Sequence, residues 1–320
     1  MVTRRVFLQL GAVVAFSFGT AVFAAPCSHA ADPPLRAVAS FSILGDMVKT
    51  VGGDRVEVTT LVGPDGDAHV FEPTPANARA IAGADVVFIN GLGLEGWMPR
   101  LIQASGYKGP VVTTTKGIKP LTMEDEDEGH GGGGHEHGQL KSRQVDDPHA
   151  WQSLANGRIY VTNIAAGLSA KDPAAAEMYK ENALAYVAQM DTLDAEVRSR
   201  FAAIPADHRK IVTTHDAFQY FGQAYGVEFI APEGVSTEQE ASAEDVATLI
   251  RQIRKDKINA VFMENMSDNR LIAQISKETG AKIGGTVYSD ALSPADGPAS
   301  TYLMMFRYNL QEFTGALAGS

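Results

Sequence analysis

One long segment divides this chain: residues 173–204 read PAAAEMYKENALAYVAQMDTLDAEVRSRFAAI. Its larger apolar residues recur three or four positions apart, which puts them on one stripe of a single helix; they are Tyr179, Ala183, Tyr186, Met190, Leu193, Val197, Phe201 and Ile204. Asp172 is a suitable N-cap, Pro173 is tolerated in a first turn, and Pro205 ends the helix. At 1.5 Å per residue the helix is about 45 Å long. The segment therefore predicts a rod between two halves of similar size.

Short apolar runs alternate with helical patterns on both sides of this rod. The strand candidates are residues 36–44, 55–62, 85–90 and 110–115 in the first half, and 210–214, 227–231, 258–263 and 282–288 in the second. Such alternation is typical of parallel sheets covered by helices. The sequence predicts an α/β fold with two doubly wound parallel-sheet lobes, residues 32–171 and 205–320, joined by one long rigid helix at 172–204. A long helix within one large domain is the alternative.

The first 31 residues predict an export signal. Arg4 and Arg5 precede an apolar run over residues 6–25, and small residues follow near Ala30. Polar residues and glycines interrupt the run, which favours cleavage over a permanent membrane anchor. The segment 3–8 (TRRVFL) also resembles the twin-arginine signal, with ordinary secretion as the alternative. We therefore expect a periplasmic protein from which the signal peptide, residues 1–31, has been removed.

Charge and cysteine content exclude several partners and ligands. The 320 residues carry a net charge of −11, and removal of residues 1–31 takes away Arg4 and Arg5 but no acidic residue, which makes it −13. An acidic surface disfavours nucleic acid as a partner and tolerates cations. The one cysteine, Cys27, lies in or beside the signal. We expect a monomer without a disulfide or a thiolate metal ligand.

The composition changes abruptly between Thr122 and Asp147. The segment TMEDEDEGHGGGGHEHGQLKSRQVDD has almost nothing apolar to bury, which predicts a flexible, acidic, histidine-rich loop. His130, His135 and His137, with the carboxylates around them, would capture zinc weakly and raise its concentration near a stronger site. The alternative is a solvated linker in which these histidines have no role beyond casual metal binding.

Four other potential metal ligands follow predicted strands. They are His69, His149, His215 and Asp290, two from each half. Ligands bind beyond the carboxyl ends of strands in open α/β sheets, so the four side chains are expected to meet between the lobes. A single histidine at a strand end is more often a satisfied polar residue or a cap than a ligand, and Asp290 alone could cap a turn, so the shared location of the four is what indicates a site. Three imidazoles and one carboxylate suit Zn²⁺, and four protein ligands leave no open position for catalysis.

The segments that contain these residues resemble the motifs of one known family. They are 63–73 (GPDGDAHVFEP), 147–151 (DPHAW), 214–221 (THDAFQYF) and 288–290 (YSD). In this order they are similar to the motifs of the zinc and manganese solute-binding proteins of ABC importers, the ZnuA-like group of cluster A-I, across the whole mature chain. The overall spacing is most similar to the AztC type of zinc-binding protein. The resemblance implies two lobes bridged by a rigid helix, with the metal held between them by His69, His149, His215 and Asp290.

The resemblance also implies a function. The chain would be the high-affinity zinc-binding component of an importer, capturing Zn²⁺ and delivering it to a membrane permease; in the AztC type a periplasmic zinc metallochaperone can supply the metal. In manganese-binding relatives the third ligand is typically Glu, so His215 favours zinc over a manganese importer component. A second alternative is a zinc hydrolase, in which Asp290 or Glu72 acts as general base on a metal-bound water.

Overall fold

The computed structural model describes residues 33–126, 142–238 and 241–318. The predicted export signal with Cys27 therefore lies outside the described residues. The same holds for His130, His135 and His137, so their proposed part in zinc capture stays a prediction.

The first sheet is built from four parallel strands in the order β2-β1-β3-β4. Its register aligns Ala37 of β1 with Val58 on one side and Val86 on the other. The strands and the helices that follow them are β1 (Leu35–Phe41), α1 (Ser42–Gly52), β2 (Val56–Val62), α2 (Pro75–Ala82), β3 (Val86–Ile89), α3 (Met98–Ser105) and β4 (Val111–Thr113). Thr74 and Asn77 form a capping box at the start of α2, which fixes where the loop after β2 ends.

The two ends of the acidic histidine-rich segment pair with each other. Strands β5 (Thr122–Glu126) and β6 (Ser142–Asp146) form an antiparallel ladder in which Thr122 lies opposite Asp146. Backbone bonds at the base continue this pairing, because Asp147 N donates to Leu121 O at 2.8 Å. The segment expected to be flexible over its whole length is therefore tied at both ends by backbone hydrogen bonds, which depend little on apolar content.

The long helix forms where the spacing predicts it. Helix α4 (Leu154–Lys171) and a 3₁₀ turn at Pro173–Ala175 precede it, and α5 runs from Ala176–Ala202. All members of the predicted stripe that lie within α5 are buried. Asp172 does not cap the helix; its Oδ2 accepts hydrogen bonds from Arg55 Nη2 and from the hydroxyl of Tyr179, both at 2.9 Å.

The second sheet repeats the plan of the first, in the order β10-β9-β7-β8, with all strands parallel. Ser242 and Asp245 form a capping box at the start of the helix after β8. The elements are β7 (Lys210–Val212), α6 (Gln219–Tyr225), β8 (Glu228–Ile230), α7 (Ala243–Asp256), β9 (Ala260–Glu264), α8 (Arg270–Thr279), β10 (Lys282–Val287) and α9 (Tyr302–Ala318).

One hydrophobic core runs through both halves. It includes Phe41 and Trp151 on the side of the first sheet, Met190 and Leu193 of α5, and Phe313 of α9 on the side of the second. The described residues from 34 onwards accordingly form one compact unit. The predicted fold class, two parallel α/β sheets and one long connecting helix, is confirmed, while the lobe boundaries at 171 and 205 stay a prediction. Among the residues described, no helix is both long and apolar enough to cross a membrane.

Two leucines on α5 provide a matched test of this packing. Leu193 is fully buried and Leu184 is 62% exposed. Leu193→Ala should lower the free energy of unfolding by about 2–5 kcal/mol, because it removes apolar contacts and leaves a cavity. Leu184→Ala should change it by less than about 0.5 kcal/mol. Urea unfolding followed by circular dichroism measures both, and equal losses would contradict this account of the helix.

Candidate metal centre

The four candidate ligands lie on loops at the carboxyl ends of the two sheets. His69 lies between β2 and α2, His149 between β6 and α4, His215 just after β7, and Asp290 just after β10. Each of the first two loops is turned by an aspartate two residues before its histidine. Asp67 Oδ1 accepts the backbone N–H of His69 at 2.8 Å, and Asp147 Oδ1 accepts that of His149 at 2.9 Å. These Asx turns fix the direction in which each histidine leaves the chain.

The four side chains converge on one point. One donor atom from each lies within 4.8 Å of the donor atoms of all the others. The Nε2 atoms of His69 and His149 are 3.2 Å apart, and Asp290 Oδ2 is 3.2 Å from His69 Nε2, 3.6 Å from His149 Nε2 and 3.1 Å from His215 Nε2. A tetrahedral zinc shell with bonds of about 2.0–2.1 Å has ligand atoms about 3.3 Å apart. The cluster thus has the spacing of donors around a single ion.

The cluster is almost completely closed to solvent. The His69 side chain is 5% exposed, and the side chains of His149, His215 and Asp290 are fully buried. Asp290 Oδ1 has no hydrogen-bond partner among the described residues. A buried carboxylate oxygen without a partner is costly unless a cation or a donor compensates it, so this atom fits a bound cation.

Burial and the neighbouring charges shift the pKa of every side chain in the cluster. Burial lowers the pKa of His69 and outweighs its contact with Asp290. Burial also opposes a proton on His149, but Asp290 and Asp147 outweigh it and raise the pKa of His149 to about 9. In the same way Glu264 and Asp290 raise the pKa of His215 despite its burial. Burial would raise the pKa of Asp290, yet His215 and His149 hold it well below the usual range. The three carboxylates Asp290, Asp147 and Glu264 thus favour a positive charge on His149 and His215 in the absence of metal.

Two buried carboxylates outside the predicted ligand set contact the Nδ1 atoms of two of the imidazoles. Asp147 Oδ1 is 2.8 Å from His149 Nδ1, and Glu264 Oε2 is 2.7 Å from His215 Nδ1. Both have a signal in the sequence. Asp147 repeats the spacing of Asp67 before His69, and Glu264 directly follows a predicted buried strand, at the same sheet edge as the ligand candidates.

The loop that carries His69 is tied to the opposite half of the molecule. Asp65 N donates to Leu292 O at 3.0 Å, Asn265 Nδ2 donates to Asp65 Oδ1 at 2.8 Å, and Thr237 Oγ1 donates to the other oxygen of Asp67 at 2.6 Å. A further bond joins Trp97 Nε1 to the carbonyl of Ala68 within its own half, at 2.8 Å. Hydrogen bonds from both halves thus hold this loop over the cluster.

The second general-base candidate lies outside the cluster. Glu72 is exposed on the loop before α2, whereas Asp290 is one of the four converging side chains. Among the described residues, His69, His149, His215 and Asp290 form the one group of histidine, cysteine and acidic side chains with the geometry of a metal site.

Known proteins share this chain's sequence and fold. The family model described as zinc-uptake complex component A, periplasmic, matches residues 37–316. The iron ABC transporter substrate-binding lipoprotein MtsA of Streptococcus pyogenes serotype M1 is 33% identical over 98% of this chain and 99% of its own length. The periplasmic zinc binding protein TroA of Treponema pallidum superposes with a TM-score of 0.79 at 29% identity, over 89% of this chain and 99% of its own. A Mn-bound periplasmic metal binding protein of Candidatus Liberibacter asiaticus gives 0.76 at 31% identity, over 88% and 99%.

The raised pKa of His149 makes the stability of the metal-free protein depend on pH. The pKa is about 9 in the folded state against an ordinary value of 6.5, so the folded state binds this proton more tightly than the unfolded state. Its stabilising contribution is complete below about pH 6.5 and is lost as the pH rises through about 9, a loss on the order of 3 kcal/mol.

Urea unfolding in the presence of a chelator, at about pH 6 and about pH 9.5, measures this loss. The matched variants are His149→Gln, which should reduce the pH dependence and leave the part due to His215, and His208→Gln, on an exposed turn, which should preserve it. Equal stability of the unmutated protein at the two pH values would contradict the proton balance described above.

Proposed function

Because this chain belongs to the family of periplasmic zinc-uptake complex component A, the metal-binding substrate-binding proteins of ABC transporters, we propose that its metal is Zn²⁺. The protein captures the ion between the two sheets and delivers it to the membrane permease of the transporter. The family consists of substrate-binding components and not of enzymes, so the zinc hydrolase alternative is set aside. The metal is cargo that the protein binds and releases.

His69, His149, His215 and Asp290 are the proposed ligands. The observation that carries this assignment is the convergence of their donor atoms within 4.8 Å in a buried pocket. The partnerless Oδ1 of Asp290 supports it further, because a bound cation removes the cost of burying that oxygen. Four protein donors complete a tetrahedral shell and leave no open coordination position, as expected of a carrier.

The donor atoms support zinc over manganese. Three imidazole nitrogens and one carboxylate oxygen match the borderline-soft Zn²⁺, whereas Mn²⁺ prefers carboxylate, carbonyl and water oxygens and a higher coordination number. The relatives do not decide between the metals, because one is named for iron, one for zinc, and one was solved with manganese bound. The proposal of zinc over manganese therefore rests on the third imidazole donor, His215.

The continuous core supports release by loop movement. Buried side chains of α5 pack against both halves, so a large hinge rotation would break apolar contacts throughout the molecule. The loop that carries His69 is held by a few hydrogen bonds instead. Opening this loop exposes the ion at a far smaller cost in buried area.

We also propose where the protein acts, which source supplies its metal, and which partner receives it. The predicted signal at residues 1–31 sends the protein to the periplasm, by the twin-arginine route or by ordinary secretion, where it acts as a monomer. His130, His135 and His137 would gather zinc near the site, and a periplasmic metallochaperone is a further proposed source of the metal. The relatives are named as ABC transporter components, which implies the permease as the partner that receives the ion.

Competition between metals tests the proposed cargo. The metal-free protein is dialysed against equimolar Zn²⁺ and Mn²⁺, and the bound metal is measured by mass spectrometry. We expect about one zinc per chain and little manganese, because nitrogen donors favour zinc. Preferential loading of manganese, or no bound metal, would contradict the proposal.

Two histidine variants test the ligand assignment. His215→Ala should weaken zinc binding by about 100-fold or more, since some 10–16 kcal/mol of zinc binding is shared among about four ligands. His208→Ala, on an exposed turn, should bind as the unmutated protein does. Titration against a fluorescent zinc chelator measures both, and tight stoichiometric binding by His215→Ala would show that the assignment is wrong.

A further inference from the structure

We propose that Glu264 is a positioning residue that makes His215 a nitrogen donor to the metal and thereby sets the preference of the site for zinc. The inference rests on the proposed function, because it assumes that His215 binds the ion. It adds a determinant that none of the four ligand motifs contains.

Glu264 is a carboxylate in a fully buried position. It is the last residue of β9 and its side chain is fully inaccessible to solvent. Its Oε1 accepts the backbone N–H groups of Thr214 at 2.8 Å and of His215 at 3.0 Å. Among the described residues, the one ion-pair partner of Glu264 is His215. Burying a carboxylate is expensive unless donors compensate it, so the donors on this loop are the ones it depends on.

The second oxygen of Glu264 faces the ring of His215. Oε2 lies 2.7 Å from Nδ1, and neither atom has another hydrogen-bond partner among the described residues. The contact is a close approach and not a well-aligned hydrogen bond, because both atoms remain without a bond of good geometry. Each atom is therefore the available partner of the other.

This contact decides which ring nitrogen is free for the metal. A carboxylate oxygen repels the lone pair of a ring nitrogen 2.7 Å away, so this approach favours the tautomer with the hydrogen on Nδ1. A neutral imidazole has one N–H, which leaves the lone pair on Nε2. Nε2 lies 3.1 Å from Asp290 Oδ2, inside the cluster of donor atoms. Glu264 thus turns the metal-binding nitrogen of His215 towards the ion, as carboxylates behind metal-bound histidines commonly do.

The same contact bears on selectivity. The third donor of the site is a nitrogen as long as Glu264 holds His215 in this tautomer and orientation. Loss of that nitrogen costs Zn²⁺ more than Mn²⁺, because manganese depends less on imidazole and takes oxygen ligands, water included. Substitution of Glu264 should therefore change the ratio of zinc affinity to manganese affinity. A charge change elsewhere in the same half should change this ratio less.

Glu264→Gln separates this role from simple structural support. The amide oxygen can still accept the N–H groups of Thr214 and His215, so the loop keeps its backbone bonds. The amide N–H₂ that replaces Oε2 is a donor, and it favours the tautomer of His215 with the hydrogen on Nε2, which cannot bind the metal. Glu228→Gln is the matched control: Glu228 lies on β8 of the same half, is half exposed and pairs with Lys210.

Zinc and manganese affinities of the full chain are measured by chelator competition for the unmutated protein, Glu264→Gln, Glu228→Gln, His215→Ala and the His215→Ala/Glu264→Gln double variant. Thermal unfolding monitored by circular dichroism checks that each is folded. We expect Glu264→Gln to weaken zinc binding by about 10–100-fold, to lower the zinc-to-manganese ratio, and to change the visible spectrum of the Co²⁺-loaded protein. Glu228→Gln should behave as the unmutated protein.

The double variant identifies how Glu264 acts. If it acts through His215, Glu264→Gln has no further effect on zinc affinity once His215 is alanine. An equal loss in that background, or unchanged affinity and Co²⁺ spectrum in the single variant, would overturn the inference. These results are distinct from failure of the proposed function, in which the unmutated protein itself would not bind zinc.

Discussion

The structure depends on the convergence of three imidazole nitrogens and one carboxylate oxygen at a point closed to water. Brought together without a cation, such donors leave buried lone pairs that nothing satisfies. Nearby carboxylates raise the pKa of His149 and of His215, and Asp147 and Glu264 contact the Nδ1 atoms of these two rings. His69 differs, since burial lowers its pKa and its side chain is the most exposed of the four. The buried cluster thus favours a positive charge, whether protons or a metal ion supply it.

A rigid frame holds this convergence in place. Helix α5 packs into a core shared by both sheets, and several polar bonds cross between the halves close to the site. Trp151 Nε1 and Gln152 Nε2 both donate to the carbonyl of Ser289, next to Asp290. The backbone of Leu292 also donates to Ser42 Oγ. The shared core and these bonds thus tie the two halves together next to the site.

Selectivity for the metal must arise from few atoms. Relatives at about 30% identity differ in metal: one is named for iron, one for zinc, and one was solved with manganese bound. A frame that serves different ions cannot itself choose among them. The donor atoms, and the groups that orient those donors, are what remains to distinguish one ion from another. In this chain the proposed determinants of metal selectivity are His215 and the buried carboxylate of Glu264.

The sequence alone determined the parts of this protein that depend on local pattern. The apolar stripe from Tyr179 to Phe201 requires a helix with one buried face, alternating apolar runs require covered parallel strands, and histidines after strand ends lie at the ligand-binding edge of a sheet. Tertiary structure decided what depends on distant neighbours. Asp172 bonds to Arg55 and Tyr179 instead of capping α5, and the acidic segment pairs its own ends. The pairing of Glu264 with His215 joins residues 49 positions apart. A pattern of residue types records which face is apolar, but only the packed chain brings a particular carboxylate within reach of a particular ring nitrogen.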